Sequence, residues 1–158
     1  HLLGHEGHGE VVECGQGVTK VKDGDKVVLH WRKSPGINSA TPTYESKSLG
    51  QINAGWVTTF NEYAVVSEDR LTLIPDYVDK DHAALLGCAV TTAMGTLVND
   101  AKATVGDSVA IFGCGGVGLS LIRQRFMRQG KLNTYRHPAD IDGRIANGSS
   151  NPPFKTLD

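Results

Sequence analysis

With 158 residues, 39% hydrophobic content and a net charge of −1, the chain is long enough to bury a core in one or two small domains. The balanced charge argues against a nucleic-acid partner or an anionic membrane surface, and no apolar run approaches the roughly 18 residues of a membrane span. Three widely spaced cysteines, Cys14, Cys88 and Cys114, exclude a disulfide framework and lack the C-x-x-C spacing of a closed structural zinc site, so a reducing cytoplasm is expected.

The chain opens on His1, without a Met and without the basic start, apolar centre and small-residue cleavage site of a signal peptide. The expectation is that it begins inside a domain. Residues 10–14 form a β-prone run ended by Gly15-Gln16-Gly17, and Lys22-Asp23-Gly24-Asp25 is a turn feeding a strand over 26–30. Residues 31–57 are rich in Ser, Thr, Gly, Pro and Asn and read as one long loop of the kind that carries function. Strand signals return over 57–60, 63–66 and 71–74, the last stopped by Pro75. Short strands with turns between them predict a small antiparallel barrel.

The character then changes. Asp81 is placed as the N-cap of a helix over 81–86, and residues 89–99 continue as helix. Gly106-Asp107 is a turn, residues 108–112 are a compact buried strand, and residues 116–127 fit a helix. From Arg128 the apolar periodicity is lost, residues 129–158 read as an irregular tail, and residues 148–153 as a flexible end. The expected class is α/β with a β-rich part. The expected divisions are 1–87, 88–128 and 129–158.

Three features carry chemistry: Gly4-His5-Glu6-Gly7-His8-Gly9-Glu10, Cys88, and the run Gly113-Cys114-Gly115-Gly116-Val117-Gly118. A lone loop His is usually a surface polar residue, and a lone Cys before Ala-Val is usually a small apolar filler. Their order and context say more. Gly4-His5-Glu6, then Gly9, Gly15 and Val18, together with the later Gly87-Cys88-Ala89-Val90-Thr91-Thr92, resemble the zinc-dependent medium-chain dehydrogenase/reductase family, that of the zinc alcohol dehydrogenases.

The resemblance covers about residues 2–122 and implies a GroES-like β-barrel catalytic domain joined to the first strand-loop-helix of a Rossmann domain. It implies that His5 and Cys88 are ligands of one catalytic zinc, that Glu6 lies beside the metal and approaches it, and that Thr92 touches the nicotinamide. The family's first zinc ligand, a cysteine, and the Ser or Thr that relays the alcohol proton lie upstream of Gly-His-Glu and have no counterpart here. Its four-cysteine structural lobe would fall within residues 31–57, where no cysteine occurs. His8, His30 and His82 are given no ligand role, His8 because an extended segment turns it away from His5. Cys14 has no partner nearby, and Cys114 is a spacer in the glycine run.

That run follows a strand and precedes a helix, the setting of a dinucleotide-binding turn. Gly113 allows the turn, Gly115 lets backbone approach a pyrophosphate, and Gly118 lets helix pack on strand; Gly116 and Val117 open the helix, whose N–H groups face the phosphates. NAD or NADP is the expected cofactor. A second strand ending in Asp or Glu should follow about 20 residues on to hold the ribose. Asp140 and Asp142 are acidic, but no apolar strand precedes them, and they read as solvated loop. Residues 125–133 are similar to a Gly-Lys-Leu segment near the end of the family's cofactor domain, a resemblance that implies most of that domain is missing between about Ile122 and Arg123; the other reading is a helix end running into an unrelated tail.

By resemblance, the complete relative oxidises a small-molecule alcohol or reduces an aldehyde or ketone with zinc and a nicotinamide cofactor, often as a dimer or tetramer. Three alternatives stand beside it. One is a zinc-free quinone or enoyl reductase of the same superfamily, against which His5, Glu6 and Cys88 argue. Another is a truncated, non-catalytic GroES-like module that binds a partner or metal. The third is a generic soluble α/β domain whose motifs coincide by chance.

Overall fold

The computed structural model of the chain describes residues 1–127 and 132–135. It divides into two compact units, His1–Cys88 and Ala89–Asp158. The first unit holds β1 (Gly7–Glu10), β2 (Lys26–Leu29), β3 (Thr43–Ser46), β4 (Gly50–Asn53), a 3-10 turn at Glu68–Arg70, β5 (Leu71–Leu73) and α1 (Lys80–Leu85). The second holds α2 (Ala89–Gly95), a π turn at Thr96–Asp100, β6 (Val109–Phe112), α3 (Gly116–Met127) and β7 (Leu132–Tyr135).

The run Val27-Val28-Leu29 is buried at all three positions, which requires cover on both faces of the strand. β2 accordingly lies in the middle of an antiparallel sheet of order β1-β2-β5. Its residues Val27 and Leu29 join Val21, Val57 and Leu71 in the core, with Val11, Cys14, Val18 and Val66 packed against them. Burial first, and the neighbouring Asp23 next, push the Cys14 thiol above its usual pKa. The Cys14 thiol donates to the Val21 carbonyl at 3.4 Å.

Several expected elements move. β1 occupies residues 7–10 rather than 10–14, because its register follows β2, from Gly7 opposite Leu29 to Glu10 opposite Lys26. Cross-strand pairing outweighs the β propensity of Val11-Val12. Residues 57–60 and 63–66 are not strands. Thr59 and Phe60 both donate their N–H groups to the Leu3 carbonyl, and Val65 donates to the Tyr44 hydroxyl. The long loop instead contains the hairpin β3-β4, with Tyr44 opposite Ile52. Its polar sequence carries only one apolar cross-strand pair. Among the described residues the β-rich part is thus an open three-stranded sheet and a separate hairpin, not a closed barrel. The α1 N-cap is Asp79, two residues before the expected Asp81. Its carboxylate accepts from the N–H groups of Asp81 and His82, and the His82 N–H is the main reason its pKa is lowered.

In the second unit β6 pairs in parallel with β7, from Val109 opposite Leu132 to Phe112 opposite Tyr135. This overturns the expected absence of a second strand. Leu-Asn-Thr-Tyr has no apolar run, and a parallel partner supplied after a helical crossover places it. The remaining tail, with Asp140 and Asp142, lies outside the described residues. No helix among the described residues is long and apolar enough to cross a membrane.

The turn Glu68–Arg70 is buried throughout, an unusual place for three charged residues. The Glu68 carboxylate accepts from the backbone N–H groups of Thr19 at 2.7 Å, Lys20 at 2.6 Å and Ile37 at 2.8 Å. Asp69 accepts from the Asn38 side-chain amide at 2.6 Å, and the Arg70 guanidinium donates to the Trp31 carbonyl and lies 4.9 Å from the centre of the Trp56 ring. The three N–H bonds, Ile37 first, hold the Glu68 carboxyl below the usual glutamate value of 4.5. A depressed carboxyl pKa adds stability that is complete above the usual value and disappears as pH falls through the folded one. Urea midpoints measured from about pH 7 down to about pH 3 should therefore fall less steeply in Glu68→Gln than in the parent chain. Parallel acid profiles would contradict the assignment.

Candidate functional site

The segment Gly4-His5-Glu6 runs into β1, with His5 exposed and Glu6 half-buried. Gly7 stands opposite Leu29. Beyond α1, Gly87 comes so close to the same residue that a Cβ there would strike the Leu29 carbonyl. Cys88 follows directly and is half-buried. Glu6 thus precedes the glycine paired with Leu29, and Cys88 follows the glycine packed on the Leu29 carbonyl. Assembly stops there. Among the described residues no group of three or more His, Cys, Asp or Glu side chains could hold a metal ion. A catalytic zinc takes three protein donors and leaves one open position. His5, Glu6 and Cys88 as placed do not fit a complete zinc site.

His8, His30 and His82 are placed by other contacts. His8 sits opposite Val28 in the sheet. Both ring nitrogens of His30 have partners, the Arg32 carbonyl at 2.8 Å and the Thr72 hydroxyl at 2.9 Å. The His82 ring lies 3.1 Å from the Asp79 carboxylate.

The glycine run joins β6 to α3. Gly113 has φ +91°, a left-handed conformation that glycine alone enters without strain. The chain can therefore reverse directly after Phe112. A Cβ on Gly118 would collide with the Gly113 carbonyl and lie 3.7 Å from the Ile111 side chain, so the missing side chain is what lets α3 start against β6. Nothing lies within 4 Å of a Cβ built on Gly115, which leaves that backbone open to a ligand. A Cβ on Gly116 would meet the Ala89 methyl at 3.4 Å, so the first turns of α2 and α3 touch. Gln124 strengthens this contact by donating to the Val90 carbonyl at 3.2 Å. Thr92 lies one turn further along α2 and is exposed, as is Val117. The half-buried Cys114 lies within the turn. Strand, tight turn, open backbone and a helix N-terminus together form the cradle a pyrophosphate requires, so these residues fit a dinucleotide.

Gly87 is part of the motif around Cys88, but its contact with Leu29 escapes sequence reasoning, because it joins residues far apart in the chain. Thr59 also escapes it. Its only trace is the pair of glycines, Gly4 and Gly7, on either side of His5-Glu6.

Residues 1–76 match the model of the alcohol dehydrogenase GroES-like domain. The chain is 37% identical to an S-(hydroxymethyl)glutathione dehydrogenase of Escherichia coli O1:K1, over 77% of this chain and 40% of that one. It therefore spans about two-fifths of the length of the curated relatives it matches. Among solved structures, 2R,3R-butanediol dehydrogenase of Bacillus subtilis is similar with a TM-score of 0.60 and 29% identity, over 92% of this chain and 47% of that one. A quinone oxidoreductase of Pseudomonas syringae pv. Tomato DC3000 has a TM-score of 0.64 at 24% identity, over 92% of this chain and 38% of that one. That likeness bears on the fold alone.

The contact of Gly118 with the Gly113 carbonyl yields a test that needs no ligand. Gly118→Ala should destabilise the second unit by about 1–3 kcal/mol, the usual range for an overpacked site, while Gly115→Ala, which meets open space, should change stability little. Equal urea midpoints for both variants would show that the helix start is not held by this contact.

Proposed function

The chain belongs to the medium-chain dehydrogenase/reductase family, and from that premise we propose that it carries the substrate-side unit and the opening of the cofactor unit of an alcohol or aldehyde oxidoreductase working with NAD or NADP. The supporting observation is the β6-to-α3 turn, with its left-handed Gly113, open Gly115 and close-packed Gly118. When bound, the nicotinamide supplies the hydride acceptor or donor. Gly113, Gly115, Gly116, Val117 and Gly118 hold the pyrophosphate with backbone N–H groups. Thr92, on the helix that touches the start of α3, orients the nicotinamide end. A fixed cradle removes the freedom of the reactants before reaction, and that is the contribution a protein makes to hydride transfer.

Zinc enters the proposal in a narrower form. In this reading His5 and Cys88 are candidate donors and Glu6 is a further candidate. Among the described residues no group of three or more His, Cys, Asp or Glu side chains could hold a metal ion, so no catalytic step is assigned to a metal. The same observation favours a second reading, a non-catalytic GroES-like binding module. A zinc-free quinone or enoyl reductase is less well supported, since that chemistry has no use for His5, Glu6 and Cys88 in this arrangement.

Two titrations separate these readings. NADH should bind the chain saturably, and Gly115→Val should weaken it by about tenfold or more, equivalent to about 1.4 kcal/mol, because the valine side chain would occupy the pyrophosphate's place. His5→Ala and Cys88→Ala should each lower zinc affinity by a similar factor. Zinc binding without NADH binding would support the module instead. Unchanged zinc affinity in both variants would remove the ligand assignment.

A further inference from the structure

We propose that Thr59 is the positioning residue for His5 and Glu6. Its side chain fills the space between Gly4 and Gly7 and so fixes the turn that presents the two reactive groups. The inference rests on the reading of His5 and Glu6 as functional groups, but its geometry is independent of any metal. A Cβ on Gly4 would lie 2.5 Å from the Thr59 hydroxyl oxygen and 2.8 Å from the Phe60 nitrogen. A Cβ on Gly7 would lie 2.6 Å from the Thr59 methyl carbon and 3.0 Å from its Cβ. One side chain therefore touches both ends of the four-residue segment, with its hydroxyl against Gly4 and its methyl against Gly7.

Two further observations fix that arrangement. The N–H groups of Thr59 and Phe60 both donate to the Leu3 carbonyl, at 3.2 and 3.1 Å, which ties residue 59 to the chain just before the turn. Gly4 then reverses direction with φ +94°. A β-branched residue carries both γ atoms on one stiff rotor, so rotation of Thr59 away from either glycine drives the other γ atom into its neighbour. The Thr59 hydroxyl is buried and has no hydrogen-bond partner, so in this turn Thr59 acts by shape. Those two close fits account for glycine at both positions that bracket His5-Glu6.

The test uses the full chain with labelled histidine and follows the ring resonances of His5, with His30 and His82 as internal references. Thr59→Val keeps the shape and removes the unpartnered hydroxyl. It should leave the His5 resonance in place and the urea midpoint equal or higher. Thr59→Ser removes the methyl that faces Gly7 and should shift and broaden His5 while His30 and His82 stay fixed. Gly7→Ala should displace His5 in the parent chain, and Thr59→Ser should rescue Gly7→Ala by vacating the space the new methyl needs. An unmoved His5 in Thr59→Ser, equal movement of His30, or no rescue would each overturn the proposal. A zinc titration that moves no histidine resonance in the parent chain would count against zinc alone, which keeps the two failures distinct.

Discussion

Both candidate sites depend on the same constraint, backbone brought closer to its neighbours than any side chain would permit. In the first unit Gly87 presses on the Leu29 carbonyl, and Gly4 and Gly7 close on Thr59. In the second, Gly118 presses on the Gly113 carbonyl. Each contact sets the path of the chain next to a residue with reactive chemistry or with open backbone. A methyl group at any of these glycines would meet backbone or a β-branched side chain, and neither yields as the end of a flexible side chain does. The glycines are therefore spatial requirements of the site, beyond their freedom to turn.

A second, polar constraint holds the first unit around them. The Glu68 carboxylate gathers three backbone N–H groups from two separate loops, and Asn38 and Trp31 are tied to Asp69 and Arg70. A buried carboxylate is tolerated where hydrogen bonds replace the water it has lost. Here those bonds do the work that a longer sheet would do in a larger domain. Lys20 adds to them, its ammonium donating to the Ser34 hydroxyl and the Leu71 carbonyl. The long polar segment after Trp31 is thus fixed to the sheet at its start, although its sequence has the composition of a loop.

The parts legible in the sequence are those specified by local pattern. The run Val27-Val28-Leu29 announces a buried strand, the strand over Val109–Phe112 and the glycine spacing after it announce the turn into α3, and the motifs around His5, Cys88 and Gly113 announce the family. The parts that escaped depend on partners distant in the chain. β1 begins at a glycine because Leu29 lies opposite. β7 is a strand because β6 offers it an edge. The roles of Glu68 and Thr59 exist only once loops about 30 to 55 residues away have been placed beside them, as the pairs Ile37–Glu68 and Gly4–Thr59 illustrate. A zinc ligand set is a statement about convergence. Motifs can nominate its members, but their positions decide whether three of them meet.

Whether the turn from β6 into α3 receives a nicotinamide dinucleotide can be read at its own backbone. The most direct measurement follows the backbone amide resonances of the nitrogen-15-labelled chain as NAD or NADP is added to about 1 mM, a concentration that detects even weak binding. Saturable shifts, largest at Gly113, Gly115, Gly116, Val117 and Gly118, are expected. Amides in this loop that stay unmoved by both cofactors would contradict that binding.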